Sequence, residues 1–208
     1  MRQFLENQIQ DSIKVKQALL DDGSTLNLLE QLCFLFSKRL ASGSKIIFAG
    51  NGGSAADSQH LAAEFVSRFD FDRPGLSALA LTTDTSMLTA IGNDYGYEYV
   101  FARQLQTQAR RGDVFVGITT SGKSKNVLRA FAECKKLNIS SVALCGRGGD
   151  IEKLVDYCVR VPSSQTARIQ ECHILIGHLI CSQVERLMFP ELAEALRRPL
   201  KNSHDYRT

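Results

Sequence analysis

Five short apolar runs, each followed by a helical pattern, constrain this chain more than any other feature. The runs are Lys45-Ile46-Ile47-Phe48-Ala49, Ser77-Ala78-Leu79-Ala80-Leu81, Val114-Phe115-Val116-Gly117-Ile118, Ser141-Val142-Ala143-Leu144-Cys145 and Cys158-Val159-Arg160-Val161. Each reads as a strand covered on both faces, because the apolar residues run on rather than alternate. Helical periodicity follows over Ala55 to Phe69, Thr85 to Ile91, Val100 to Arg110, Asn126 to Leu137 and Ile169 to Phe189. Such alternation implies right-handed crossovers and predicts an α/β fold with a five-stranded parallel sheet flanked by helices. Residues 1–41 form an N-terminal segment of two helices, broken at Asp21-Asp22-Gly23-Ser24. Residues 42–189 then hold the α/β domain, and 190–208 read as a polar, mobile C-terminal tail.

The bulk properties exclude several classes. At 208 residues with 44% hydrophobic and 23% charged residues, the chain suits a globular protein with a sizeable core. A net charge of +3 from scattered basic residues leaves no nucleic-acid footprint. The opening Met1-Arg2-Gln3-Phe4-Leu5-Glu6 has no signal-peptide core. The most apolar stretch, Ile174 to Leu187, is interrupted by His178, Gln183, Glu185 and Arg186, which argues against a membrane span. The six cysteines make no CxxC pair and read as reduced, buried thiols, which points to the cytoplasm. The last long helix is apolar nearly all round and needs cover on nearly every side. That points to a helix-bundle contact between subunits. The alternative is cover by the two N-terminal helices of the same chain.

The turn after the first strand, Gly50-Asn51-Gly52-Gly53-Ser54, joins strand to helix, so its N–H groups and the helix N-terminus can close around an anion. It meets only the loose form of the dinucleotide fingerprint. The carboxylate that should close the second strand is missing, since Asp84 comes too late, and a sugar phosphate is favoured over a nucleotide. Thr119-Thr120-Ser121-Gly122-Lys123-Ser124 offers a second cradle after the third strand, where hydroxyls and a helix N-terminus suit a phosphate monoester. It lacks the P-loop spacing.

His60 and Glu64 share a helix face at i,i+4, beyond the first cradle. They are either a surface contact or a reactive pair beside a ligand. His178 sits in the most apolar helix, as a structural histidine or a functional one. Gln170 lies eight residues before it, about 12 Å of helix rise. The two reach one point only through extended side chains, a broken helix or two subunits. Asn93-Asp94-Tyr95-Gly96 reads as a turn able to offer a polar lip for sugar hydroxyls.

Together these residues resemble the SIS (sugar isomerase) domain family and, within it, the phosphoheptose isomerases. The likeness spans about residues 30 to 189. It rests on Gly50 to Asp57, His60 with Glu64, Arg73-Pro74-Gly75, Gly92-Asn93-Asp94, Thr119 to Ser124 and Ala167-Arg168-Ile169-Gln170-Glu171. It implies an SIS-type fold with a C-terminal bundle helix, and a homotetramer with active sites between subunits. It also implies conversion of sedoheptulose 7-phosphate to D-glycero-D-manno-heptose 7-phosphate, toward the heptose of bacterial lipopolysaccharide. On that resemblance Glu64 and His178 form the acid/base pair, and His60, Glu64, Gln170 and His178 hold zinc. Substrate contacts fall to Asn51, Gly52, Gly53, Ser54, Glu64, Asn93, Asp94, Thr119, Thr120, Ser121, Ser124 and Gln170. The competing reading is a non-catalytic SIS adaptor for the bacterial replication initiator. The Ala167 to Glu171 segment and the Leu187-Met188-Phe189-Pro190 ending resemble that adaptor too. The presence of both Glu64 and His178 favours the enzyme.

Overall fold

A computed structural model describes residues 1–197. It opens with α1 (Arg2–Asp21) and α2 (Gly23–Ala41), separated by Asp22 alone. The Asp22 carboxylate accepts the Ser24 and Thr25 hydroxyls at 2.6 and 2.7 Å and their N–H groups at 3.0 and 3.3 Å. These bonds cap α2 and hold the carboxyl down to about 2.

The α/β part then runs β1 (Ile46–Gly50), α3 (Gly53–Val66), β2 (Ala78–Ala80), α4 (Thr85–Asp94), α5 (Val100–Gln108), β3 (Val114–Thr119), α6 (Lys125–Leu137), β4 (Ser140–Cys145), β5 (Tyr157–Arg160) and α7 (Thr166–Met188). Every strand lies within a residue of its expected ends. All pairings are parallel, in the order β2-β1-β3-β4-β5. The order reverses between β1 and β3, and such a switch point opens a crevice at the strands' carboxyl ends. Gly50 and Ile118 are partners there, so both predicted cradles leave the sheet side by side.

Strand side chains divide by parity. Ile46, Phe48, Val114, Val116, Val142 and Leu144 face one core with α2, α3 and α7. Ile47, Ala49, Phe115, Ala143 and Cys145 face a second core with α5 and α6. The strands are buried on both faces, which explains why their sequence shows no alternation.

Three expectations change. Asn93 and Asp94 belong to α4: Asp84 caps that helix through Met87 N–H at 2.8 Å, and Tyr95 N–H still bonds to Ile91 O at 2.9 Å. The turn therefore starts at Tyr95 and passes through Gly96 at φ 98. The polar tail opens instead with α8 (Pro190–Arg197), which buries Ala193, and the rest of the tail lies outside the described residues. Finally, α7 is covered largely within the chain, by α2, α3 and α1. Of its large apolar side chains only Leu179 is exposed. All six cysteines are thiols, as expected.

Candidate active site

The two cradles are tied by a residue that the sequence reading missed. Asn51 and Asn126 exchange amide hydrogen bonds at 2.9 and 2.8 Å, from the β1–α3 turn to the first turn of α6. Asn126 is buried, and Tyr97 donates to Asn51 Oδ1 at 3.3 Å. A pair 75 positions apart leaves no local signal. Gly52 caps α3 at φ 57, a conformation open to glycine. Neither Gly52 nor Ser124 supplies a side-chain cap to its helix. Ser54 and Ala55 N–H turn back to the carbonyls of Asn51 and Gly52, and Val127 N–H to Asn126 Oδ1, so the N–H groups of Gly53, Lys125 and Asn126 are the ones that face an anion or water. Ser54 is buried in the first turn of α3. Thr119 Oγ1 lies 3.1 Å from Ser124 Oγ. Ser121 Oγ accepts Lys123 N–H at 3.2 Å, and Thr120 O accepts Gly146 N–H at 3.2 Å. Gln170 lies across the start of α3, where a Cβ on Gly53 would sit 2.4 Å from its Nε2. Asn93 and Asp94 bond to each other at 2.9 Å on exposed backbone at the end of α4.

Further along α3 the structure joins His60, Glu64 and His178. His60 Nε2 and His178 Nε2 are 2.9 Å apart, and Glu64 Oε1 is 3.4 Å from His60 Nε2. The close approach of α3 and α7 depends on Gly177, whose Cβ would fall 2.4 Å from Leu61 Cδ2. The His178 ring lies between His60 and Phe69, at centroid distances of 5.1 and 5.2 Å. Burial, with His60 adding to it and Glu64 opposing it, pushes His178 below the usual imidazole range.

Two imidazole nitrogens at 2.9 Å beside a carboxylate require a shared proton or a cation. Two imidazoles and a carboxylate are a donor set that zinc accepts. Among the described residues the three do not yet form a closed metal-binding group. The nitrogens stand closer than the roughly 3.3 Å adopted on a tetrahedral ion bound at about 2.0 Å. Modest ring separation would admit zinc, so His60, Glu64 and His178 fit it. Gln170 sits at the first cradle, about two turns of α7 before His178.

Residues 16–146 match the SIS domain model. Over 91% of its length, the chain is 56% identical to phosphoheptose isomerase of Aneurinibacillus thermoaerophilus, covering 96% of that protein. It is 54% identical to phosphoheptose isomerase 2 of Campylobacter jejuni over 91% of its length, and 94% of that protein. The solved phosphoheptose isomerase of Neisseria gonorrhoeae superposes with a TM-score of 0.83 at 41% identity, over 88% of this chain and 98% of that one. With its doubly wound sheet, paired cradles and facing histidines, the chain belongs to the phosphoheptose isomerases of the SIS-domain family.

Proposed function

We propose that the chain interconverts sedoheptulose 7-phosphate and D-glycero-D-manno-heptose 7-phosphate, as a cytoplasmic homotetramer feeding lipopolysaccharide heptose synthesis. The observation that carries this reading is the meeting of His60, Glu64 and His178 downstream of an anion cradle at the sheet's switch point. Seven residues of α3, about 10 Å of rise, separate Gly53 from His60. An extended seven-carbon chain with a terminal phosphate has a comparable reach. Relatives named phosphoheptose isomerase at 50% identity or above, across nine-tenths of the chain, count against the adaptor.

In the forward direction Glu64 takes a proton from C1 of the ketose, giving a cis-enediol, and returns it to C2. His178 gives a proton to O2 as that oxygen loses its double bond, and removes one from O1 as the aldehyde forms. His60 orients the His178 ring through their 2.9 Å contact. Asn51, Gly52, Gly53, Ser54 and Gln170 line the first cradle, and Thr119, Thr120, Ser121 and Ser124 bind the phosphate. Asn93 and Asp94 reach the sugar hydroxyls. Zinc held by His60, Glu64 and His178, with Gln170 as an additional donor, would supply Lewis-acid polarisation of the carbonyl. The α1 residues Phe4, Leu5, Ile9, Ile13 and Leu20, each more than half exposed, support assembly.

The test is turnover of sedoheptulose 7-phosphate by the parent, with Glu64→Gln and His178→Ala beside it. The expected outcome is loss of about 10²- to 10⁴-fold in kcat for each, the usual share of one acid/base group. An inactive parent, with or without added zinc, would sink the assignment.

A further inference from the structure

Arg73 and Glu185 form an ion pair outside the reacting groups, with both side chains 1% exposed and Arg73 Nε 2.7 Å from Glu185 Oε1. Their remaining bonds lead to the two helices of the site. The Arg73 guanidinium donates to the carbonyls of Glu64 at 2.8 Å, Phe65 at 2.6 Å and Ser67 at 3.1 Å. It thus closes the last turn of α3 through the peptide of Glu64 itself. Glu185 lies two turns beyond His178 on α7 and accepts the N–H groups of Phe69 and Asp70 at 2.7 and 2.8 Å. The Phe69 ring packs 5.2 Å from the His178 imidazole. One network therefore touches the backbone of Glu64 and the ring of His178. Outside it, Asp70 receives Ser182 Oγ at 2.5 Å and Arg186 at 2.8 Å, a second tie from the same segment to α7.

A buried ion pair adds little net stability over an apolar replacement of the same volume, because desolvation offsets the attraction. What this one adds is direction, since a planar fork accepts only one arrangement of three carbonyls and a carboxylate. We propose that Arg73, Glu185 and Phe69 are positioning residues for the isomerisation, setting the placement of Glu64 relative to His178. The inference rests on the acid/base assignment given above. Proton transfer fails on displacements near 1 Å, so loosening the network lowers kcat while leaving the cradles, and hence KM, in place.

The test uses the full chain with Arg73→Lys, which keeps the charge and loses the fork, and Phe69→Leu, which keeps the backbone bond and loses the ring. Both are assayed on sedoheptulose 7-phosphate beside melting curves and the ¹⁵N-edited imidazole signals of His60 and His178. The expected result is a fall in kcat of tenfold or more in folded variants, KM within about twofold, and displaced imidazole signals. Folded variants with parental kcat and unmoved signals would overturn the proposal. If the parent does not turn over, the isomerase reading fails separately, and the imidazole signals alone decide. If Arg73→Lys does not fold, Phe69→Leu and Glu185→Gln carry the test. Collapse of all three would assign the network to stability alone and overturn the proposal.

Discussion

His173 is fully buried on α7, with the Cys145 backbone as its nearest polar neighbour and no hydrogen bond of good geometry to either ring nitrogen among the described residues. Burial pushes its pKa down to about 4 from the ordinary 6.5. In the unfolded chain the ring takes a proton below pH 6.5, whereas in the fold it does so only near 4. Between those values the unfolded state binds more protons, so stability falls as pH drops through the window and is full above it. The loss amounts to about 2 kcal/mol by pH 5. Urea titrations at pH 7 and pH 5 should show a midpoint drop for the parent that shrinks in His173→Leu. An equal drop in both would remove His173 as its source.

Packing of α3 on α7 brings His60 and His178 together, and Gly177 sets its distance. Alanine there would gain about 1 kcal/mol of helix propensity. Its Cβ would also meet Leu61 Cδ2 at 2.4 Å and Cδ1 at 2.7 Å, and overpacking of this kind costs roughly 1–3 kcal/mol. Gly177→Ala should therefore melt lower than the parent and lose kcat, and Leu61→Ala, which by itself empties a core site at about 2–5 kcal/mol, should lower the melting temperature less in the Gly177→Ala background than in the parent. A single variant that melts higher would contradict the close approach. Helix and strand existence was legible in the sequence because periodicity and unbroken apolar runs are local properties. So were the two cradles, as strand–turn–helix junctions. The contact of His60 with His178 across 118 positions, and that of Asn51 with Asn126, come from the crossing of elements, which no local pattern encodes. The turn expected at Asn93 failed because Asp84 had already capped a helix long enough to absorb it.

At the scale of the molecule, the strand order gathers both strand–turn–helix junctions at one end of the sheet, and the helix layer carries His60, Glu64 and His178 past them. Among the described residues, a row of apolar side chains on α1 stays without cover. On α1, Leu19 is buried, while Phe4, Leu5, Ile9, Ile13 and Leu20 are more than half exposed. That row is fixed against the start of α7, where Ser12 Oγ donates to Glu171 at 2.6 Å and Arg168 donates to Gln8 O at 2.5 Å. Gln170 leaves the same turns of α7 for the first cradle. Covering the α1 row with a second copy would brace the helix that presents Gln170, coupling assembly to substrate binding. Ile9→Asp with Ile13→Asp places two charges in the middle of that row without touching the core. Light scattering should then give a smaller species than the parent, with kcat/KM down by tenfold or more and the far-ultraviolet spectrum unchanged. An undiminished particle mass would exclude α1 as the assembly surface. A smaller particle with parental kcat/KM would separate assembly from catalysis and place a complete site in one chain.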